Sequence, residues 1–345
     1  MSRRVRRVNL WIWVILTVVS SGSLAGFIPI NIDSILDSWP LREITSEKDD
    51  QQDKSLGGDD HFDSTRVPVP NRSLDGAVDE NAIADRPLLI ASFNIQVLGQ
   101  SKMSKPNVVG ILAETIRRFD LVAIQEVRSK EENVLPRLIQ AINSDGDNYS
   151  FLIGPRLGRT VSKEQYAFVF DTDRVEYDPG SIGTISDPDD LLHREPFVTR
   201  FRAKTADPDR AFTFWLVNAH TDPDEVPQEL NALADVFRVM QQNRLDEDDV
   251  ILLGDLNAAP SKFGPLRAIS GIQWVVEGTP TNTRRTKTYD NLLFTGLSTR
   301  EYTGRWGVFD IEREFGISMQ ESLQVSDHMP VWSEFSQWEM NAVSP

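Results

Sequence analysis

The chain of 345 residues contains no cysteine and only four histidines. The absence of cysteine excludes disulfide bonds, thiolate zinc sites, iron–sulfur clusters and thiol catalysis. Basic residues are also in deficit, since 36 Lys and Arg against 52 Asp and Glu give a formal net charge of −16. This deficit argues against binding of nucleic acid through bulk basic charge. It leaves room for an enzyme that meets phosphate through a metal ion and a few arginines.

The first 32 residues are predicted to be a signal peptide or a signal anchor. Four arginines between positions 3 and 7 precede an uncharged run over residues 8–32, which is the pattern of a secretion signal. The small-x-small pattern Ser23-Leu24-Ala25 favours cleavage. The run is also long enough to span about 30 Å of hydrocarbon as an uncleaved membrane tether. In both cases we expect the rest of the chain outside the cytoplasm: secreted, periplasmic, or anchored and facing outward.

Residues 33–86 have the composition of an acidic, disordered linker. They hold 14 acidic and 6 basic side chains and lack a sustained apolar periodicity. We assign the folded domain to residues 87–338 and a short tail to residues 339–345. The sequence indicates no specific protein partner, and we expect a monomer.

From Leu88 onward, short apolar runs of strand length alternate with segments of helical periodicity. The helical spacing predicts helices over residues 108–119, 134–142 and 225–242. The apolar runs predict strands over residues 88–95, 121–127, 149–153, 166–170, 197–201, 212–219, 250–253, 291–294 and 331–335. This order of elements predicts an α/β protein whose sheets are covered by helices.

Polar side chains recur where these apolar runs begin or end. They are Asn94, Glu126, His220, Asp255, Asn257, Asp290, Asp327 and His328. A buried strand tolerates a charge only where that charge is paired or bound to a metal. Each residue taken singly has an ordinary structural explanation, such as a solvated cap or a turn. Together they predict one rim at which these groups converge.

The chemical types of these residues narrow the reaction. Asn94, Glu126, Asp255, Asn257 and Asp327 offer only oxygen ligands. Such ligands suit Mg²⁺, with Mn²⁺ or Ca²⁺ as alternatives, rather than zinc. Because Mg²⁺ favours phosphate oxygens, the natural substrate is a phosphate ester.

Two histidines supply groups that exchange protons near neutral pH. His220 and His328 each need a carboxylate to fix the tautomer, and Glu164 and Asp290 are available. The other two histidines are expected at the surface, namely His61 in the linker and His193 in a polar loop.

Five short motifs in this order resemble the endonuclease/exonuclease/phosphatase superfamily. They are Ser92-Phe93-Asn94-Ile95, Ile124-Gln125-Glu126-Val127, Asn218-Ala219-His220, Gly254-Asp255-Leu256-Asn257 and Ser326-Asp327-His328-Met329-Pro330. The stretches Gln96–Ser104 and Leu157–Tyr166 make the chain most similar to the deoxyribonuclease I-like branch. The resemblance covers roughly residues 87–338. It implies a four-layer sandwich of two mixed β-sheets flanked by helices.

The resemblance also implies a role for each matching residue. Glu126 resembles the principal metal ligand, with Asn94 and Asp327 beside it. Asp255 and Asn257 resemble the pair that holds the phosphate, the nucleophilic water or a second metal ion. The acid–base pair would consist of His220 oriented by Glu164 and His328 oriented by Asp290, with the acid and the base left unassigned. The expected substrate-binding residues are Arg128, Arg159 and Arg194.

The function implied is that of an extracytoplasmic, divalent-metal-dependent endonuclease. It would hydrolyse DNA with little sequence specificity to 5′-phosphate and 3′-hydroxyl ends. One alternative is a phosphatase or phospholipase of the same superfamily that acts on a phosphoinositide or a sphingomyelin-type lipid. Another is a catalytically silent binding module on a membrane tether. Ser162 departs from the branch, because it stands where a tyrosine that contacts the minor groove is usual.

Overall fold

The computed structural model describes residues 14–16, 86–160, 162–242 and 247–340. The predicted leader, apart from residues 14–16, and the predicted linker up to residue 85 lie outside the described residues. Residues 341–345 of the predicted tail also lie outside them. Within the described ranges, no helix has the length and apolar character needed to cross a membrane.

Strands and helices alternate through most of the described chain. In order, the elements are β1 (Val14–Leu16), β2 (Leu88–Leu98), α1 (Gln100–Met103), α2 (Pro106–Ile116), β3 (Leu121–Val127), α3 (Val134–Ile142), β4 (Tyr149–Ile153), β5 (Gln165–Asp171), β6 (Val175–Tyr177), β7 (Gly183–Ile185), β8 (Phe197–Ala203), β9 (Thr213–His220), α4 (Val226–Gln242), β10 (Val250–Asp255), β11 (Ile272–Trp274), β12 (Asp290–Thr295), β13 (Tyr302–Val308), α5 (Ile311–Phe315), α6 (Met319–Val325) and β14 (Val331–Phe335).

The strands of the described residues form two mixed sheets. The first sheet has the order β1-β7-β8-β9-β10-β12-β11, with β6 paired to β8. The second sheet has the order β13-β14-β2-β3-β5-β4. In the first sheet β9 and β10 are parallel, and in the second β2 and β3 are parallel. The other strand pairs are antiparallel.

Three apolar clusters separate four layers. Along β2, Leu88 and Ile90 pack between the two sheets, whereas Leu89 and Ala91 pack against the helices that cover the second sheet. This alternation follows from the two-residue period of a strand. On the outer face of the first sheet, Leu233 of α4 is part of the third cluster. The expected four-layer sandwich is therefore confirmed.

The predicted elements agree with the structure in segments that are long enough to show a periodic pattern of apolar residues. The helix predicted over residues 225–242 is α4, and the strands predicted over residues 121–127 and 331–335 are β3 and β14. The sequence did not reveal β6, β7 and β11, because three residues carry no measurable period. It also missed β13, whose segment contains two glycines and only one buried residue.

The parallel strand pairs explain why distant polar residues meet. The carboxyl ends of β2 and β3 carry Asn94 and Glu126, and those of β9 and β10 carry His220 and Asp255. Parallel strands end at the same edge of a sheet. Asp290 begins β12, which is antiparallel to β10 and pairs Asp290 directly with Asp255. We call this edge of the sandwich the catalytic edge.

Gly254 lies directly before Asp255 and cannot carry a side chain without distortion. Its φ is +146°, and a Cβ there would lie 1.8 Å from the carbonyl oxygen of Ala219 in the neighbouring strand. Both the backbone angle and the close approach of β9 require glycine. The glycine therefore allows Asp255 and His220 to end adjacent strands side by side.

We expect Gly254→Ala to destabilise the fold by about 3 kcal/mol or more, because the added carbon must displace backbone in a buried sheet. Gly110→Ala is the matched control. A Cβ at exposed Gly110 in helix α2 meets nothing within 4 Å, so alanine should stabilise by roughly 0.5–1 kcal/mol. Urea unfolding of the two variants checks this. Equal effects would contradict the argument.

Candidate active site

Asp255 is the centre of a polar cluster at the catalytic edge. It ends β10 and is buried. Asn94 Nδ2 donates a hydrogen bond of 3.0 Å to its Oδ2 atom. Nε2 of His220 and Nε2 of His328 lie 3.6 Å and 3.4 Å from the same oxygen. Burial raises the pKa of Asp255, but the two imidazoles outweigh burial and hold the pKa below its usual value.

Glu126 lies beside this centre on a left-handed backbone. Its φ is +64°, and the pairing of β3 with β5 shifts register between residues 124 and 127. Its Oε1 accepts a 3.2 Å hydrogen bond from Asn94 Nδ2, and its Oε2 accepts one of 2.9 Å from the Val97 amide. A non-glycine residue at positive φ carries strain that is typical of functional sites. The other residues at positive φ on this edge are Gln96, Val97 and Asn257.

His220 is held by a buried carboxylate on its Nδ1 side. Its Nδ1 lies 2.7 Å from Oε1 of Glu164, and the Tyr166 hydroxyl accepts a 2.9 Å bond from its backbone amide. Burial raises the pKa of Glu164, but His220, Arg194 and Arg128 outweigh it and lower this pKa to about 2. Burial opposes protonation of His220, yet Glu164 dominates and raises the pKa of the imidazole.

His328 has a parallel arrangement with Asp290. Its Nδ1 lies 2.9 Å from Oδ2 of Asp290, and the Thr281 hydroxyl donates a 2.6 Å bond to that oxygen. Burial lowers the pKa of His328, but Asp290 and Asp255 outweigh burial and raise it well above its usual value. Each of the two histidines therefore has Nδ1 bound to its own carboxylate, while Nε2 faces Asp255.

Asn257 and Asp327 complete the group of residues that the sequence brings to this edge. The Asn257 amide donates a 3.0 Å bond to Oδ1 of Asp255, and its side-chain amide donates one of 2.9 Å to the Thr221 carbonyl. Asp327 is half-exposed, and its Oδ1 lies 3.9 Å from Nε2 of His328. The structure thus brings together at one edge the residues that the sequence analysis predicted to be catalytic or metal-binding.

The structure places Arg194 differently from the expectation that it would face DNA. Its guanidinium is buried, with Nε 2.9 Å from Oε1 of Glu164 and donating a 3.2 Å bond to the His220 carbonyl. A buried carboxylate needs a compensating cation, and Arg194 supplies it. Arg128 is partly exposed and lies 3.3 Å from Glu126 and 3.2 Å from Glu164. Arg128 is therefore the arginine that both supports the site and borders solvent.

Arg159 and His193 belong to a neighbouring loop region rather than to the cluster. Arg159 forms ion pairs of 3.1 Å with Asp190 and 2.5 Å with Glu225, and no contact joins it to Asp255. His193 was expected at the surface. It is instead half-buried, with Nδ1 3.6 Å from a carboxylate oxygen of Asp222. Acidic neighbours, which the local sequence does not specify, account for both positions.

Lys102 is a residue of this edge that the sequence did not single out. Its ammonium group donates to the backbone carbonyls of Ile95, Gln96 and Val325, the last two at 2.6 Å. Burial lowers the pKa of Lys102 to about 8, although two nearby carboxylates oppose that shift. The lysine thus links the left-handed residues Gln96 and Val97 to the end of α6 through hydrogen bonds. The stretch that carries the family resemblance contained this lysine, but its spacing gave no indication of the role.

The donor atoms fit a hard divalent cation. Glu126 offers carboxylate oxygens at the partly exposed side of the cluster, and its ligand atoms lie within 4.8 Å of those of Glu164 and His220. Asn94 is buried, and its Oδ1 accepts a 2.9 Å bond from the Gln96 amide while its Nδ2 faces the carboxylates. The two catalytic-edge imidazoles are bound through Nδ1 to carboxylates and have raised pKa values. Protonated imidazoles do not ligate metals, which leaves the oxygens as the donors and favours Mg²⁺, Mn²⁺ or Ca²⁺.

Comparison with known proteins agrees with this geometry. Residues 91–328 match the Endonuclease/Exonuclease/phosphatase family. The chain is 34% identical over 260 residues to Deoxyribonuclease-1-like 1 of Mus musculus, covering 72% of this chain and 80% of that protein. It is 32% identical over 264 residues to Deoxyribonuclease-1 of Bos taurus, covering 71% of this chain and 90% of that protein.

A solved structure also shares the fold. An endonuclease/exonuclease/phosphatase family protein from Bacteroides thetaiotaomicron superposes with a TM-score of 0.50 at 16% identity, over 74% of this chain and 99% of that one. The family match and the deoxyribonuclease relatives indicate a hydrolase that acts on phosphoric ester bonds. The chain belongs to the Endonuclease/Exonuclease/phosphatase family.

The charge network around Glu164 predicts how stability depends on pH. Because the pKa of Glu164 is lowered from 4.5 to about 2, its carboxylate stabilises the folded state fully above pH 4.5. That contribution, about 3 kcal/mol, is lost as the pH falls from 4.5 to 2. Glu164→Gln removes this titration, so the Tm of the variant should fall less steeply than that of the wild type in this window.

Thermal unfolding monitored by circular dichroism between pH 4.5 and 2 measures the two slopes. Glu314 is exposed, so Glu314→Gln is the matched control and should keep the slope of the wild type. Identical slopes for Glu164→Gln and the wild type would show that Glu164 is not the ion-paired group described above.

Proposed function

We propose that this chain is a divalent-metal-dependent endonuclease that hydrolyses DNA with little sequence preference and leaves 5′-phosphate and 3′-hydroxyl ends. The names of its relatives support DNA as the substrate, since both are deoxyribonucleases. The same names weigh against a lipid phosphatase or phospholipase. The complete set of acid, amide and imidazole groups around Asp255 weighs against a catalytically silent binding module.

One observation carries the proposal: two imidazoles converge on one buried carboxylate. Nε2 of His220 and Nε2 of His328 lie 3.6 Å and 3.4 Å from Oδ2 of Asp255. Because each Nδ1 is bound to another carboxylate, the Nε2 atoms are the ones free to exchange protons with a ligand. A phosphate group bound at this point would have a proton-exchanging nitrogen on either flank.

The proposed reaction is in-line hydrolysis of the P–O3′ bond. A water oxygen forms the new bond to phosphorus, and the proton it loses passes to a group of the Asp255–imidazole cluster. The bond to the 3′-oxygen breaks on the opposite side, and the other imidazole protonates that oxygen. Asp255 has a lowered pKa and stays ionised, so it can orient the attacking water. The raised pKa values of His220 and His328 keep the imidazole that acts as the acid protonated, whereas the imidazole that takes the proton from water enters the step neutral.

The metal-binding residues in this proposal are Glu126 and Asn94, with Asp255, Asn257 and Asp327 beside them. When bound, a divalent cation such as Mg²⁺ neutralises the charge that develops on the phosphoryl oxygens. The hydrogen bonds from the Val97 amide and from Asn94 orient the Glu126 carboxylate before a cation binds.

Substrate binding by an acidic protein depends on few positive groups. The chain carries a formal charge of −16, so DNA must be held by the cation and by local basic side chains. Arg128 is the best placed, because it borders solvent and lies against Glu126 and Glu164. Ser162, which accepts a 3.1 Å bond from Arg128, offers no aromatic surface on which a base could stack. This arrangement supports backbone contact and little sequence preference.

We place the reaction outside the cytoplasm on the strength of the leader. Four arginines followed by an uncharged run over residues 8–32 are typical of a secretion signal. Fractionation of the native host, followed by N-terminal sequencing of the protein, decides between a cleaved signal and a membrane tether.

The direct experiment is nicking of supercoiled plasmid by the purified protein in Mg²⁺, with a chelator as control. We expect nicked circles only when Mg²⁺ is present, and DNA ligase should reseal them, because ligase requires 5′-phosphate and 3′-hydroxyl ends. Phosphoinositide and sphingomyelin vesicles are assayed in parallel. Release of phosphate or phosphocholine by a folded preparation that leaves plasmid intact would overturn the proposal in favour of a lipid hydrolase.

Single substitutions test the assigned roles. His220→Ala and His328→Ala should each lower the rate of nicking by at least ~10²-fold, because positioned acid–base groups contribute about that much. Glu126→Gln should lower the rate and raise the Mg²⁺ concentration needed for half-maximal activity. His61→Ala is the matched histidine control and should nick at the rate of the wild type. Full activity in all three site variants would show that the site is elsewhere.

A further inference from the structure

A second acidic cluster lies at the end of the sandwich opposite the catalytic edge. Ligand atoms of Glu247, Asp248 and Asp249 lie within 4.8 Å of one another, as do those of Asp249, Glu301 and Glu339. We call Glu247, Asp249, Glu301 and Glu339 the acidic end cluster. Asp249 precedes β10, whose other end carries Asp255. Six residues of extended strand place the two sites about 20 Å apart.

Three members of the acidic end cluster are buried, and no ion pair joins the cluster to a basic group among the described residues. Glu247 is 6%, Asp249 is 4% and Glu301 is 1% exposed. The charged groups that act on Asp249 are Glu301, Glu247 and Glu339, all of them acidic. Those that act on Glu247 are Glu339 and Asp248, also acidic. Buried charges of one sign are costly unless a cation balances them.

Three buried oxygen atoms of this region have no hydrogen-bond partner. They are Oδ1 of Asp249, Oε2 of Glu301 and the hydroxyl oxygen of Thr299. Thr299 is 1% exposed, and its hydroxyl lies close enough to Asp249 to affect that carboxyl group. Buried polar atoms are paired in most native structures, so each orphan needs an explanation.

Backbone amides hold the carboxylates in place through one oxygen each. The Asp249 amide donates to Oε1 of Glu247 at 2.9 Å, and the Met340 amide donates to Oε1 of Glu301 at 2.6 Å. The Thr213 amide donates to Oε1 of Glu339 at 2.8 Å. The second oxygen of Glu301 is left unbonded and buried. Carboxylates anchored in this way are positioned as ligands before any cation binds.

We propose that the acidic end cluster, with the Thr299 hydroxyl, is a binding site for Ca²⁺. The donors are all oxygens and come from three separate chain segments, around residues 247–249, 299–301 and 339, and Ca²⁺ accepts such irregular sets of six to eight oxygens. Mg²⁺ fits less well, because it demands octahedral geometry and retains its waters. Burial and the acidic neighbours also raise the pKa of Asp249 to about 9 and that of Glu247 to about 7. A divalent cation would replace the protons that these groups otherwise hold.

A cation at this point would join three chain segments at one end of the sandwich. Asp249 belongs to the first sheet, Glu301 precedes β13 of the second sheet, and Glu339 follows β14 near the chain end. The segment around Glu339 already crosses between the sheets, since its amide donates to the Arg210 carbonyl and Ser336 donates to the Glu301 carbonyl. Ca²⁺ would therefore clamp the two sheets together in a chain that has no disulfide.

Thermal unfolding of the full chain in Ca²⁺ and in chelator tests the site. A ligand at about a hundred times its Kd should raise the Tm by on the order of 5 °C. We expect this rise in the wild type and in Glu126→Gln, whose catalytic edge is altered. We expect it to be lost in Asp249→Asn/Glu301→Gln. In chelator the double variant should melt no lower than the wild type, because mutual repulsion has been removed.

Terbium provides a second readout that does not depend on the double variant being folded. Tb³⁺ mimics Ca²⁺ and is sensitised by tryptophan, and the Trp215 amide lies 2.7 Å from the Asp249 carbonyl. Competition by Ca²⁺ should quench this emission. Glu339→Gln on the half-buried tail should weaken Tb³⁺ binding at least tenfold, whereas Glu314→Gln should not. No Ca²⁺-dependent rise in the wild type, or a full rise in the double variant, would overturn the proposal.

Discussion

The arrangement of polar groups at the catalytic edge depends on Asp255, a buried aspartate that stays ionised. Asp255 ends a central strand, where removal of a charge from water costs several kcal/mol, and two imidazoles and the Asn94 amide compensate for that cost. Each imidazole in turn needs a carboxylate on its other nitrogen. Those carboxylates then need donors of their own, which Arg194 and Thr281 supply. Each polar group of the site therefore depends on a partner for its charge or hydrogen bond. These partners come from different parts of the sequence.

The backbone at the catalytic edge is shaped to meet these requirements. Glu126 and Asn257 adopt positive φ, and Gly254 allows β9 and β10 to approach closely enough for His220 and Asp255 to be neighbours. Such conformations are unfavourable in isolation and persist because the two packed sheets leave no alternative. Lys102 adds three hydrogen bonds to backbone carbonyls at the same edge. The sandwich therefore supplies rigidity, and the strand ends supply the chemistry.

Strand β10 has a carboxylate at each end, Asp255 as its last residue and Asp249 directly before its first, and Glu301 precedes β13 beside Asp249. At the carboxyl ends, the charges are balanced by histidines and arginines that belong to the protein. At the amino ends, the described residues contain no comparable basic partners for Asp249 and Glu301, and buried oxygens remain without hydrogen bonds. This contrast is the physical basis for assigning the balancing charge at that end to an external cation. The two ends would then use divalent cations for different purposes, one for chemistry and one for cohesion.

Local patterns in the sequence determined the main strands and helices, because a period of two or 3.6 residues reports which face of an element is buried. They also indicated the residues of the catalytic edge, because a charged or polar group at the end of a buried strand must be paired with another group or bound to a metal. Tertiary structure alone decided that Arg194 is buried against Glu164 instead of facing substrate. It alone brought Asp249, Glu301 and Glu339 together. Pairing across the sandwich depends on which segments meet in space, and no local period encodes that.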